Sequence, residues 1–91
     1  MAQRHKSAIK RHRQNLKKAS RNRSIRSRVR SAIRSLREII EEKDPAKAAT
    51  ELPLTMKTID KAATKGVLHR NTASRYISRL RKQVAALAQA S

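Results

Sequence analysis

The chain has 91 residues, of which 24 are Lys or Arg and 6 are Asp or Glu, so its formal charge is +18 at pH 7. This length allows one small domain, and the positive charge favours nucleic acid or an anionic membrane surface as the partner. The absence of Cys excludes disulfides and thiolate zinc sites, and because the sequence has no apolar signal-peptide core and no run that could span a bilayer, we expect a reducing, cytoplasmic compartment.

The positive charge is concentrated towards the N-terminus. Residues 1–37 carry fourteen basic and no acidic residues, residues 38–62 have a net charge of −2, and residues 63–91 have a net charge of +6. Solvated helix faces normally mix the two signs, because like charges spaced four residues apart repel each other. The unbroken positive run therefore predicts a surface that binds a polyanion.

The sequence predicts a first helix from about His5 to Lys43. Between residues 20 and 40, a spacing of about 100° per residue separates the side chains into three faces. The apolar face comprises Ile25, Val29, Ala32, Ile33, Leu36, Ile39 and Ile40, the arginine stripe comprises Arg23, Arg26, Arg30, Arg34 and Arg37, and the serine face comprises Ser20, Ser24, Ser27, Ser31 and Ser35. The apolar face needs other helices to cover it. The serine face is either solvated or lets a polyanion approach the backbone closely.

The first part of this helix is predicted to overhang the others. A helix of this length spans about 58 Å, roughly twice the length of the third helix. Its only large aliphatic residues before Ile25 are Ile9 and Leu16, which point away from the apolar face. Fixing about twenty residues costs roughly 20 to 40 kcal/mol of backbone entropy, far more than two side chains return. We therefore expect residues 1–24 to form a basic helical arm that is largely disordered alone, and residues 25–91 to form a bundle.

The second helix follows the segment EEKDPAKAA. Asp44 suits an N-cap, and Pro45 suits the first helical position. The predicted buried stripe of this helix comprises Ala49, Leu52, Met56, Ile59 and Ala63. Pro53 lies inside the helix and predicts a kink or a break between Ala49 and Leu52.

Gly66 predicts a left-handed C-cap for the second helix, after which Val67 and Leu68 fold back on its last turn. Asn71 is predicted to cap the third helix. The apolar stripe of that helix comprises Ala73, Ile77, Leu80, Val84 and Leu87, and its opposite face carries Arg75, Arg79 and Lys82. With one Gly, two Pro and almost no β-type alternation, the chain is predicted to be all-α, a three-helix bundle with a long, overhanging, basic N-terminal helix.

The kind of polyanion is suggested by what the sequence lacks. Tyr76 is the only aromatic residue, and its place at the edge of the third apolar stripe favours the core margin over base stacking. Helix-turn-helix and zinc-finger signatures are absent. Recognition of backbone phosphates and shape remains, and a folded RNA suits a helix that is basic around much of its circumference. Two alternatives stay open: an architectural DNA-binding protein, and an amphipathic helix on a membrane surface.

The sequence contains no constellation for catalysis or metal binding. No nucleophile, metal or phosphate-loop motif is present. His5 and His12 lie two helical turns apart without thiolate or carboxylate neighbours, which makes a poor metal site. The four carboxylates of residues 38–44 mark the end of the RNA-facing surface, since so small a bundle has little room for a concave acid–base site. We therefore expect neither an enzyme nor a cofactor.

The segments KGVLHRNTASRYISRL, residues 65–80, and HKSAIKRHRQ, residues 5–14, resemble the bacterial small-subunit ribosomal protein S-twenty family. The likeness covers nearly the whole chain, including RVRSAIRSL and the acidic hinge. The matching residues of the C-terminal motif are Lys65, Gly66, His69, Asn71, Ala73, Arg75, Ser78, Arg79 and Leu80. The resemblance implies a three-helix bundle whose first helix penetrates small-subunit ribosomal RNA, binds it directly during assembly and carries out no catalysis. It also implies a monomer within a ribonucleoprotein, without a membrane or small-molecule partner.

The residues expected to contact RNA follow from the basic first helix, the third helix and the resemblance. In the first helix they are Arg4, Lys6, Lys10, Arg11, Arg13, Lys17, Lys18, Arg21, Arg23, Arg26, Arg30, Arg34 and Arg37. After the second helix they are Lys65, His69, Arg70, Asn71, Arg75, Arg79 and Lys82. His69 lies in the loop between Gly66 and Asn71, where the resemblance favours an RNA contact or a loop-ordering hydrogen bond as much as plain exposure.

Overall fold

Within residues 2–90, for which the structure, a computed structural model, describes the backbone, the chain forms three helices and no strand. These are α1 (Ala2–Glu41), α2 (Pro45–Thr64) and α3 (Arg70–Ala90), of 40, 20 and 21 residues. Side chains are described from residue 8 to residue 90. The all-α prediction is confirmed. The first helix was predicted from His5 to Lys43. It begins at Ala2 instead, and it ends at Glu41 because the next residues form a turn in which the Lys43 N–H donates to the Ile40 carbonyl oxygen.

The first helix is much longer than the two helices that it packs against. At about 1.5 Å per residue, α1 spans roughly 60 Å and the other two span about 30 Å each. The molecule accordingly measures 69 × 21 × 14 Å, with a Cα radius of gyration of 18.5 Å. A compact chain of this length has a radius of gyration of about 12 Å. The N-terminal half of α1 therefore overhangs the bundle, as the sequence predicted.

The core lies between the C-terminal half of α1 and the two shorter helices. Its buried members are Val29, Leu36, Ile39, Ala48, Ile59, Ala62, Ala73, Leu80 and Val84, and its partly buried members are Ile25, Ile33, Ile40, Leu52, Ala63, Leu68, Tyr76, Ile77 and Leu87. The predicted apolar faces of α1 and α3 are therefore confirmed. Helix α2 packs extensively against both α1 and α3, whereas α1 and α3 meet each other only narrowly. This arrangement leaves a groove between α1 and α3.

The predicted buried stripe of α2 is only partly right. Ile59 is buried, but Ala49 is exposed and its neighbour Ala48 is fully buried. Thr55, which was not predicted, is 2 % exposed. Its hydroxyl donates a hydrogen bond to the Glu51 carbonyl oxygen at 3.1 Å, so the buried polar group is satisfied within the helix. Two adjacent alanines of equal volume give the sequence pattern no means of choosing between them.

The start of α2 follows the sequence prediction. The Asp44 carboxylate accepts a hydrogen bond from the Lys47 backbone N–H at 3.2 Å, and Pro45 is the first helical residue. The helix then continues through Pro53 without a break, so the alternative of a break before this residue is wrong. Pro53 is exposed, so its ring lies on the solvent side of α2. The adjacent Leu52 packs against the core.

Helices α1 and α2 end in the same kind of turn. Gly66 has a φ of +76°, and the Val67 N–H donates to the Ala62 carbonyl oxygen at 3.0 Å, which is the long bond of a Schellman C-cap. The predicted left-handed cap is therefore confirmed. At the end of α1, Lys43 takes the left-handed position with a φ of 57°, and its N–H donates to the Ile40 carbonyl oxygen at 3.1 Å. No glycine signals this second turn in the sequence.

The N-terminus of α3 is capped by a different residue from the one predicted. His69 accepts the first intrahelical bond, from the Ala73 N–H to its carbonyl oxygen at 3.0 Å. Its ring nitrogen Nδ1 also accepts the Asn71 backbone N–H at 3.1 Å. An imidazole nitrogen thus serves as the acceptor that an Asn or Asp oxygen usually supplies. The prediction of Asn71 as the cap is wrong, and the loop-ordering hydrogen bond of His69 is confirmed.

Candidate nucleic-acid interface

The arginine stripe of α1 lies on the surface of the molecule. Its exposed members are Arg23, Arg26, Arg30, Arg34 and Arg37. On the neighbouring face of the same helix, Val29, Leu36 and Ile39 are at most 7 % exposed. The bundle thus covers the apolar face and leaves the guanidinium groups in solvent. Each guanidinium presents a planar fork of N–H donors that matches the oxygens of a phosphate.

A groove between α1 and α3 connects this stripe to the third helix. Its volume is about 580 Å³. It is lined by Arg30, Ile33, Arg34, Arg37, Glu38, Glu41, Tyr76, Arg79 and Leu80. The structure therefore brings Arg79, predicted from α3, to the same groove as three members of the arginine stripe. Four guanidinium groups around one concave surface concentrate the positive potential there.

The groove combines an apolar floor with a change of charge along its length. Ile33, Tyr76 and Leu80 belong to the core or pack against it, and they also line the groove. From Arg30 to Glu41 the α1 wall extends over about 16 Å, and its charged side chains change from arginine to carboxylate. Carboxylates beside phosphates would repel them. The predicted end of the RNA-facing surface therefore falls inside this groove.

The arm, residues 1–24, is open to solvent over most of its length. Every side chain from residue 8 to residue 21 is exposed, so no other helix covers this part of α1. The basic side chains within residues 8–21 are Lys10, Arg11, Arg13, Lys17, Lys18 and Arg21. Its two large aliphatic side chains, Ile9 and Leu16, are 44 % and 56 % exposed. The predicted contact residues Arg4 and Lys6 lie outside the part of the chain whose side chains are described.

The remaining predicted contact residues are exposed but do not join the groove between α1 and α3. They are Lys65, His69, Arg70, Asn71, Arg75 and Lys82. Arg70 borders a separate cleft of about 640 Å³ that also contains Asp60, so a carboxylate shares that surface. The Nδ1 atom of His69 is engaged in the helix cap. Lys65, His69, Arg70 and Asn71 therefore lie at the connection between α2 and α3, whereas Arg75 and Lys82 lie further along α3.

Two basic residues that the sequence analysis missed lie on another side of the molecule. Arg28 and Lys61, together with Lys65, border a depression of about 170 Å³ beside Ile25 and Thr58. Arg28 was left out because it falls off the helical row that defines the arginine stripe. Lys61 lies four residues before Lys65, so the two like charges share one face of α2 and its end. This spacing could have indicated Lys61 as part of a basic surface.

The described surface carries many cationic side chains, and the described residues do not form a metal site. Among the described residues, no group of three or more His, Asp or Glu side chains could hold a metal ion. Within the same part of the chain, every buried side-chain nitrogen or oxygen atom has a hydrogen-bond partner. None of the helices, over the residues described, is both long and apolar enough to cross a bilayer. What the exposed cations can do chemically is bind anions.

Known proteins resemble this chain over most of its length. The family model of ribosomal protein S20 matches residues 3–85. Proteins named small ribosomal subunit protein bS20 are similar as well. The one from Geobacter metallireducens is 54 % identical over 80 residues, which cover 88 % of this chain and 92 % of that protein. The one from Desulfatibacillum aliphaticivorans is 50 % identical over 84 residues, which cover 92 % and 96 %. The one from Anaeromyxobacter dehalogenans is 53 % identical over 79 residues, which cover 87 % and 86 %.

Proposed function

The chain belongs to the ribosomal protein S20 family and is a constituent of the small ribosomal subunit, and we propose that it binds the ribosomal RNA of that subunit directly, through phosphate contacts. The resemblance found in the sequence is thus confirmed at the level of the family. In bacteria the small subunit is a cytoplasmic particle, and the family is one of structural ribosomal proteins rather than enzymes. The proposal adds that a single copy stabilises the RNA fold during assembly, without a cofactor or a small-molecule substrate.

The observation that carries this proposal is the arrangement of arginines on α1. Five arginines follow one face of the helix, all of them exposed, while the adjacent apolar face is covered by α2 and α3. Arg79 extends the row across the groove onto α3. A surface of this kind neutralises several phosphates at once, and each neutralised phosphate releases condensed counterions.

The overhanging arm supports a folded RNA as the ligand over a DNA duplex. At about 100° per residue, the basic side chains of residues 10–21 lie on one side of α1 and the arginine stripe lies on the opposite side, and no described helix covers residues 8–21. Phosphates must therefore reach α1 from more than one direction to neutralise both sets. A folded RNA supplies phosphates in this way, whereas a regular duplex presents its backbone along one side of a bound helix.

Filter binding at several salt concentrations tests the proposal. The probes are small-subunit ribosomal RNA, an unrelated folded RNA and duplex DNA of similar length. We expect the tightest binding to the small-subunit RNA, with an affinity that falls steeply as salt rises. Equal affinity for all three would favour the architectural DNA-binding alternative and overturn the proposal.

A substitution on the arginine stripe tests the phosphate contacts themselves. Arg34→Ala removes one exposed guanidinium from the groove between α1 and α3. We expect it to weaken RNA binding and to reduce the slope of log affinity against log salt by about one unit. The matched control is Lys47→Ala, which removes one exposed charge from α2 away from the stripe. If both substitutions left affinity and slope unchanged, the phosphate assignment would be wrong.

A further inference from the structure

We infer that the groove between α1 and α3 binds one unpaired nucleotide of the RNA, with its base against Tyr76 and its phosphate among the arginines. This inference rests on the proposed function and names the structural class of RNA that the groove selects. A groove that bound only backbone phosphates would need only cationic side chains in its lining. This groove also has an apolar, partly aromatic floor, which phosphates cannot use.

The size and origin of the groove suit a nucleotide. Helices α1 and α3 meet only narrowly, because α2 packs against both of them. The resulting space of about 580 Å³ falls within the range of roughly 300 to 1,000 Å³ that is usual for small-ligand sites. The floor formed by Ile33, Tyr76 and Leu80 is fixed by the core beneath it. An inserted base would therefore meet a preformed surface.

Tyr76 is placed to serve both the core and the ligand. It is partly buried and packs against the core cluster, and it also lines the groove. The core contact agrees with the sequence pattern, which places Tyr76 at the margin of the core. The residue is not fully buried and it lines the groove, so part of its side chain faces the groove. An aromatic ring held in this way loses little entropy when a base stacks on it, and base–aromatic stacking is a main source of affinity for unpaired nucleotides.

The charges along the groove give the nucleotide a preferred orientation. Arg30 and Arg34 can hold the phosphate with charge-assisted hydrogen bonds. At the other end of the α1 wall, Glu38 and Glu41 line the groove. Carboxylates repel phosphates but accept hydrogen bonds from the exocyclic amino groups of bases. A base whose edge carries an amino group therefore fits the acidic end, with its phosphate at the basic end.

The single tyrosine makes a direct test possible. Because Tyr76 is the only Tyr in the chain, full-length protein labelled with 3-fluorotyrosine gives one ¹⁹F resonance. The probes are a short single-stranded oligoadenylate, an RNA duplex of equal charge and inorganic polyphosphate. We expect a shift of the resonance with the oligoadenylate and little change when the duplex or polyphosphate binds. Equal shifts with all three would show that the ring senses charge alone, and would overturn the inference.

Substitutions then connect the ring to RNA affinity. Tyr76→Leu keeps an apolar side chain over the core but removes the ring, and we expect it to lower the affinity for small-subunit ribosomal RNA about fivefold or more. The salt slope should remain unchanged, because no charge is lost. Tyr76→Phe should retain most of the affinity. The control is Ile77→Ala, which disturbs a neighbouring core contact outside the groove and should leave RNA affinity unchanged.

The two proposals can fail separately. If the native chain binds small-subunit RNA no better than duplex DNA, the proposed function fails and the inference falls with it. If that preference holds but Tyr76→Leu, checked to be helical by circular dichroism, binds RNA like the native chain, only the inference is refuted. A change of salt slope in Tyr76→Leu would also refute it, because the residue would then be acting through the arginines.

Discussion

Deletion of residues 1–20 separates the contribution of the arm from that of the bundle. When the arm is helical, the three helices of 40, 20 and 21 residues account for nearly the whole chain. If residues 2–20 unfold in the free chain, roughly two thirds of its residues remain helical. The shortened chain keeps the same helical residues and loses the unfolded ones, so close to nine tenths of it is helical. We therefore expect the ellipticity per residue to rise by about a quarter on deletion.

The reason to expect an unfolded arm lies in its surroundings. Every side chain from residue 8 to residue 21 is exposed, so the helix there depends on intrinsic propensity, which is marginal even for alanine-rich sequences. Arg13 and Lys17, like Lys17 and Arg21, are like charges four residues apart, and each such pair costs about 0.2 to 0.5 kcal/mol. The first turn also lacks an acidic residue that would favour the positive end of the helix dipole.

Circular dichroism with and without RNA measures this change. The full chain should gain helix throughout residues 2–20 when small-subunit ribosomal RNA is added, and the shortened chain should gain almost none. The deletion also removes seven basic residues, so the salt slope of RNA binding should fall by up to about six units. Slow amide exchange from Gln3 to Asn22 in the free chain, or equal ellipticity per residue before and after deletion, would refute the reasoning. Loss of helix in the part that remains would contradict the independence of the bundle.

Three further predictions concern the stability of the bundle and are measured by urea denaturation. Lys43→Gly should raise the free energy of unfolding by about 1 kcal/mol, because Lys43 has a φ of 57°, whereas Lys65→Gly, at a φ of −79°, should lower it. His69→Ala should cost about 1 kcal/mol by removing the acceptor of the α3 cap, and His69→Asn should restore that stability. Leu36→Ala should cost about 2 to 5 kcal/mol because Leu36 is fully buried, while Leu16→Ala, at a position 56 % exposed, should change the stability by less than about 0.5 kcal/mol. The opposite order within any pair would contradict the corresponding assignment.

Much of the fold could be predicted because large side chains and strong caps carry clear signals. The apolar face of α1 contains branched residues such as Val29 and Ile39 at helical spacing, and these are buried. Asp44 followed by Pro45 determined the start of α2, and Gly66 determined its end. In each case one residue has a chemical property that few others share: an acceptor side chain, a fixed φ or a free φ.

The features that the sequence did not predict depend on tertiary packing, or on residue types that seldom form the turn or helix cap in which they occur here. The choice between Ala48 and Ala49 is made by how α2 rotates against its neighbours. The left-handed turn at Lys43 uses a residue with no preference for it, and the His69 cap uses a ring nitrogen where Asn71 offered a more typical acceptor. The groove between α1 and α3 follows from the separation of two helices that are distant in sequence. Local patterns do not determine that separation.

The distribution of charge links the stability of this protein to its proposed ligand. The core is small, and Ala48, Ala62 and Ala73 are among its buried members, so hydrophobic burial provides limited stability. The arginine stripe adds repulsion that no acidic residue before Glu38 relieves. A ligand present at a thousand times its dissociation constant stabilises the folded state by about 4 kcal/mol, which is comparable to the roughly 3 to 5 kcal/mol that the core of a very small domain supplies. Phosphates that neutralise the stripe would remove the repulsion as they bind. The arginines that weaken the free protein are therefore the residues through which RNA would stabilise it most.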